Sequence, residues 1–345
     1  MKSSDKMKKV IKSKLSFLLL LFLTLIVLYF SLKDDFNSVI NELKNANIWW
    51  LLIAFLLTIG YYVLASIGLH KIIKKYNPNF TLMQTIKLKF KTKFFDSITP
   101  TSTGGQPYQV YSLTTSGISV LDSTNIALQN FVVFQTALVL IGLIAVLSNQ
   151  FLNLFEENNF LKLLVFIGFT INLSIAVVLF LISFTKKFNN FVYSKVISLG
   201  IKLKIIKNKE KVYESYNKYE ENVKKGTKSL MKNKKQFIYI LCLNFFGLVL
   251  NYLVPLAILY SIGDYNSFGP IECVIASAYV LLMGSFIPLP GGTGGLEYGF
   301  ISFFSNFLKG GKLTALMLLW RFVTYYFVMI IGAIILNVRK KGEKI

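Results

Sequence analysis

Histidine and cysteine are almost absent from this chain, which has one histidine (His70) and two cysteines (Cys242 and Cys273) in 345 residues. That scarcity rules out several chemistries at once. No Ser/His/Asp set, His-rich metal site or C-x-x-C motif can be assembled, so neither a metal nor a cofactor is expected. Both cysteines fall in apolar segments, where a small buried side chain is the ordinary reading. His70 stands beside "KIIKK" at the end of an apolar run and reads as an interfacial residue. Acids are scarce too, with 16 Asp and Glu against 38 Lys and Arg, for a formal net charge of +22. Charged residues make up only 16% of the chain, whereas a soluble domain carries about 25%.

Hydrophobic residues fill the difference, at 54% with 31 Phe and a mean hydropathy of +0.56. They gather into runs at about 15–32, 48–68, 124–147, 160–184, 237–261 and 314–338. Each is close to the roughly 20 residues that a helix needs to cross a bilayer. The fold class is therefore an all-α polytopic membrane protein, read as one integral domain over 1–345. A first half (15–184) and a second half (237–338) flank a basic loop (185–236), and a basic tail (339–345) follows. The first run is too long for a signal-peptide core and lacks a small-residue cleavage site, so it reads as a retained helix. Because the lysines flank apolar runs, the excess positive charge points to topology and anionic headgroups rather than to nucleic acid.

Lysine ranks the connections. The N-terminus, 69–95, 185–236 and the tail are basic, whereas 33–47, 148–159 and 262–270 are not. The positive-inside rule then puts both termini in the cytoplasm. Trp49 and Trp50 open the second run at the outer interface. Within 185–236, Val212, Tyr216, Tyr219 and Val223 recur at helical steps among Lys and Glu, as in a helix lying on the inner leaflet. This topology leaves two stretches, 96–116 and 271–308, that must return to the side they start from. The expected architecture is about six full transmembrane helices plus two oppositely oriented re-entrant hairpins.

The two returns share a pattern. Pro100, Thr103, Gly104, Gly105 and Tyr108 match Pro290, Thr293, Gly294, Gly295 and Tyr298 as P-x-x-T-G-G-x-x-Y, although the chain holds only seven prolines. Broken segments of opposite sense in corresponding halves mark the binding site of an inverted-repeat transporter. Irregular backbone survives at membrane depth only when buried in protein or lining a wet cavity. Free N–H groups at a half-helix start also attract anions, and a lipid phosphate is the expected anion.

Two charges sit in apolar surroundings, Glu297 and Arg321, and Arg321 is one of only two arginines. A charge near a helix centre costs about 2.5–3.5 kcal/mol on insertion scales, so it normally faces the bundle and has a partner. Either Arg321 grips a lipid phosphate while Glu297 balances it, or the two form a fixed pair that locks a hairpin to the last helix. Asp96 is expected at headgroup level. The candidate lipid-contacting residues are Thr103, Gly104, Gly105, Gln106 and Gln109 in the first break, with Thr293, Gly294, Gly295, Glu297 and Arg321 around the second. No catalytic residue is assigned.

"TPTSTGGQPYQVY", "PLPGGTGGLE" and "WRF" resemble the signatures of the lysylphosphatidylglycerol synthase transmembrane region, over about residues 10–340. That region is the flippase-like membrane half of the multiple peptide resistance factor and also occurs alone in bacteria. The resemblance implies a bacterial plasma-membrane protein that moves aminoacylated phosphatidylglycerol or a related anionic lipid between leaflets, lowering surface charge and resisting cationic peptides. Many members carry an acid after the first Gly-Gly and a base three positions later, where this chain has Gln106 and Gln109. The soluble transferase half is missing from this sequence, so lysyl transfer by this chain alone is not expected. No GxxxxGK[ST] motif is present to supply ATP-driven work. Competing readings are a lysyltransferase-related enzyme subunit and a scaffold for a separate synthase; a homo-oligomer is compatible with each.

Overall fold

The computed structural model describes residues 40–184 and 233–337, except 43, 100–101, 156–158, 285–286 and 288, together with residue 195. The first apolar run (15–32), nearly all of the basic loop 185–236 and the tail 339–345 lie outside the described residues. Everything described is helix or connection. In order the helices are α1 (Ile48–Ile73), α2 (Leu82–Ser97), α3 (Gly105–Thr115), α4 (Val120–Leu152), α5 (Asn159–Phe184), α6 (Lys234–Tyr252), α7 (Val254–Ser261), α8 (Pro270–Gly284), α9 (Gly295–Phe304), α10 (Gly310–Arg321) and α11 (Phe327–Asn337). A π-helical segment, Phe322–Tyr326, joins the last two. Among the described residues, five spans are long and apolar enough to cross a membrane: α1, α4, α5, α6–α7 and α10–α11. They match the five expected runs that fall within the described residues.

The spans alternate direction, and contacts at each end fix the pairing. At one end, the backbone N–H of Asn47 before α1 donates to the Ser261 carbonyl closing α7 (2.7 Å). There too, Lys312 of α10 pairs with Asp264 in the 262–269 connection (3.7 Å). Burial pushes the Asp264 carboxyl up, but hydrogen bonds from Ser267 and from the Asn266 and Ser267 N–H groups, with the Lys312 ammonium, outweigh it. The carboxyl is held below its ordinary value. At the other end, Gln236 of α6 donates to the Lys71 carbonyl of α1 (3.4 Å), and Tyr76 accepts from Asn125 and Gln129 of α4.

Between the spans sit two hairpins of short helices. α2 and α3 have 16 and 11 residues, and α8 and α9 have 15 and 10. The first enters from the Tyr76 end and the second from the Lys312 end. Span, hairpin, span thus occurs twice in opposite orientation, as α1 to α4 and as α6 to α11, with the span α5 between the two. Two apolar clusters mirror this. The larger packs α7–α10 through Cys273, Phe300, Phe303, Phe304 and Leu316; the smaller joins α1–α4 through Leu69, Ile72, Leu88, Leu113 and Ile126. Leu56, Phe166, Phe246 and Ile334 instead face outward and exposed, as expected where lipid is the solvent.

Pro255 breaks the fifth expected span, 237–261, into α6 and α7, because its ring removes an N–H and disturbs the preceding turn. The Tyr252 carbonyl is recovered by α8, accepting from Ser277 Oγ (3.0 Å) and Cys273 Sγ (3.1 Å). Cys273 thus has a hydrogen-bonding role inside the core.

The first hairpin begins earlier than its expected start at residue 96. The lysine-rich 82–95 reads as a basic connection by hydropathy, yet it forms the entering helix α2. A Thr81/Gln84 capping box starts that helix, and α11 packs closely along it. A Cβ at Gly332 would lie 2.5 Å from the Phe90 carbonyl. Asp96, expected at headgroup level, stands instead next to the inner end of α2.

Candidate functional site

The first break turns on two close approaches. Thr99 Oγ1 donates to the Phe95 carbonyl and accepts from the Gly104 N–H, both at 2.8 Å. Asp96 Oδ1 accepts from the Gly105 N–H at 2.8 Å, capping α3 from the preceding helix. A Cβ at Gly105 would sit 2.3 Å from that carboxylate, and one at Gly104 would sit 2.6 Å from Thr99 Cγ2. The glycine pair is needed here for proximity, since Gly104 has φ −78°.

The second break needs glycine for conformation as well. Gly291 has φ +62°, and a Cβ there would lie 2.3 Å from the Tyr325 ring. Glu297 Oε2 accepts from the Gly294 N–H at 2.7 Å, capping its own helix α9. Its other oxygen takes Arg321 Nε at 2.5 Å, and Arg321 Nη2 donates to the Gly291 carbonyl at 2.9 Å. Both ionic partners are buried. Thr293 Oγ1 donates to the Pro290 carbonyl at 2.8 Å.

Both half-helix starts are therefore occupied by carboxylates of the chain itself, Asp96 for α3 and Glu297 for α9. At each start one N–H expected to attract a phosphate, that of Gly105 or of Gly294, already has an anionic acceptor. Arg321 likewise spends Nε and Nη2 on the second break, the geometry of a lock between α9 and the last span.

One residue joins the two breaks. Tyr325, in the π-helical segment, donates from its hydroxyl to the Ser97 carbonyl at the end of α2 (2.9 Å). Its ring lies against Gly291 and under the Arg321 guanidinium, 4.6 Å from its centroid. Single turns of π-helix are frequent at functional sites; here the wider turn continues the helix that carries Arg321 and Tyr325 past both tips.

Beside this junction is a cavity of about 700 Å³. Thr103, Gln106 and Gln109 of the first break line it, and Gly292 and Leu296 represent the second. Of the other candidates, Gly104, Gly105, Thr293, Gly294, Gly295, Glu297 and Arg321 shape the tips without lining the cavity. Its charged lining residues, among those described, are Lys89, Lys93 and Asp96. Neither lysine is ion-paired among the described residues. Two further lining residues each enclose one polar atom without a partner: Gln109 Nε2, a donor, and Asn130 Oδ1, an acceptor. Both residues are more than nine-tenths buried.

Residues 15–332 match the family described as lysylphosphatidylglycerol synthase TM region. The chain belongs to that family. It is also similar to a UPF0104 membrane protein of Archaeoglobus fulgidus, 25% identical over 309 residues, covering 86% of this chain and 88% of the relative. In this lysylphosphatidylglycerol synthase TM region protein, the residues not foreseen from sequence are Lys89, Lys93, Asn130 and Tyr325. A signal for the lysines was present: Lys89 and Lys93 are four apart, on one face of a helix, with Asp96 three residues further on. It was hidden because every second residue from 87 to 93 is lysine, which in a connection is merely basic.

Proposed function

We propose that this membrane protein moves a phosphate-bearing lipid, aminoacylated or anionic, between the leaflets of a bacterial cytoplasmic membrane. Its termini would lie in the cytoplasm; for an aminoacylated cargo, lowered negative surface charge and resistance to cationic peptides would be the physiological result. The observation that carries this reading is the cavity between two oppositely entering broken hairpins, with Lys89 and Lys93 in its wall. A headgroup crossing the hydrocarbon must exchange water for other polar partners, since leaving them unmade costs several kcal/mol each. Lysine ammoniums, the Gln109 amide and the Asn130 carbonyl offer such partners along the wall, while acyl chains stay in lipid. Arg321 and Glu297 serve this indirectly, holding the second tip in place. A separate synthase would supply any aminoacylated lipid.

A leaflet-resolved assay tests the proposal. Purified protein is reconstituted into vesicles with a chain-labelled lipid on one side, and loss of asymmetry is followed with an impermeant quencher. Transfer above that of protein-free vesicles is expected, with a large loss in the Lys89→Gln/Lys93→Gln double variant. A rate equal to that of empty vesicles for every phospholipid tried ends the flippase reading.

A further inference from the structure

Given the transport reading above, on which this step rests, the charge inventory of the cavity says which headgroup fits. We infer that the site selects an anionic phospholipid with an uncharged, hydroxyl-bearing headgroup and disfavours the lysylated form of the same lipid. Lysylation adds two ammonium groups to a phosphodiester and turns a net charge of about −1 into about +1. Those ammoniums would need carboxylates. Among the described lining residues the wall offers one carboxylate, Asp96, against two amines, Lys89 and Lys93. One oxygen of Asp96 already holds the Gly105 N–H. The nearby Glu297 is taken up by the Gly294 N–H and Arg321.

Aromatic faces are the other way to hold an ammonium. Of the lining rings, Tyr62 is stacked on Phe90 with centroids 5.1 Å apart, Tyr61 packs edge-to-face on Tyr62 at 4.8 Å and Trp320 is stacked on Phe300 at 4.7 Å. That leaves Phe131, Phe134 and Tyr252 as the other lining rings. The Tyr325 ring, behind the wall, already carries the Arg321 guanidinium at 4.6 Å and the Lys93 ammonium at 6.0 Å from its centroid.

The unpartnered polar atoms point the same way. Gln109 Nε2 is a donor without an acceptor and Asn130 Oδ1 an acceptor without a donor, both enclosed by their neighbours at the edge of the cavity. A side-chain rotation toward the cavity would bring the first to a phosphate oxygen and the second to a headgroup hydroxyl. A buried group left unmade is costly, so a site built to pair it discriminates strongly against a ligand that lacks the matching atom. A glycerol-type headgroup on a phosphodiester carries both.

The experiment compares lipids in one protein. Vesicles containing the full chain receive chain-labelled phosphatidylglycerol or lysyl-phosphatidylglycerol, and initial transfer rates are read at low salt. Phosphatidylglycerol is expected to move at least about tenfold faster, a ratio that shrinks at high salt as screening grows. Lys89→Glu/Lys93→Glu should invert the preference, and Gln109→Leu should slow phosphatidylglycerol with little effect on the lysylated lipid. Equal rates, or faster movement of the lysylated lipid by the unaltered protein, overturn the inference and leave transport standing. Movement of neither lipid above empty vesicles removes both. The wild-type comparison needs no variant to fold.

Discussion

The Glu297 side chain does two jobs with two oxygens: one caps α9 and the other neutralises Arg321. Removing one partner of a buried ion pair leaves the other charged and unsolvated, which costs about 3–5 kcal/mol. Glu297→Gln is therefore expected to lower thermal stability in detergent by a shift of that size. Arg321→Lys should also destabilise, because a single ammonium replaces a planar fork that reaches Glu297 and Gly291 together. A melting curve unchanged by Glu297→Gln would show that the pair is not a lock. In the first break, Gly105→Ala should cost about 1–3 kcal/mol, typical of overpacking, as its methyl displaces the Asp96 carboxylate. The sign is read from the same melting assay. Both glycine pairs were legible from sequence as breaks, but their different reasons were not. Proximity of Gly105 to Asp96 and a positive φ at Gly294 are facts of local geometry that composition does not carry.

At the scale of elements, the apolar spans announced themselves because lipid-facing and core-facing residues are equally hydrophobic. α2 did not, since its lysines lower the local hydropathy without breaking the helix. Its two lysine pairs lie on different faces, at 87/91 and 89/93, and only the second lines the cavity. Lys87→Gln/Lys91→Gln is expected to leave lipid transfer within about twofold of wild type, since surface charges away from a site contribute little. The 89/93 pair should abolish most of it. Equal losses in the two double variants would mean that the lysines act through net surface charge and not through the cavity. The candidate site was legible as two tips, and Arg321 as a charge in need of a partner. That partner, Glu297, was named from sequence; Tyr325 was not, because nothing in "FVTYYF" separates one tyrosine from the next.

For the whole molecule, the inverted arrangement puts the 74–81 connection and the 262–269 connection at opposite ends of the bundle. After Cys242 and Cys273 are replaced, Asn266→Cys is expected to react with an impermeant maleimide on intact cells. Asn79→Cys should react only once the membrane is opened. Labelling of both from outside would contradict the bundle's alternation, and the reverse pattern would invert its orientation.

The Tyr325 contact between the tips has an electrical side. Where two hairpins enter from opposite ends, neither spans the membrane, and the insulating layer there depends on how the tips meet. Among the described residues, one ring wedged against Gly291 and one hydroxyl on the Ser97 carbonyl link the two tips. A potential of 100 mV pulls each mobile charge with about 2.3 kcal/mol, so a gap at this seam becomes an ion leak. Vesicles holding Tyr325→Ala are expected to lose an imposed potassium diffusion potential faster than those holding wild type, as read by a voltage-sensitive dye. An unchanged decay would place the insulating seam elsewhere. In the proposed transport, this one side chain would keep the membrane a capacitor while a lipid headgroup follows a polar route beside it.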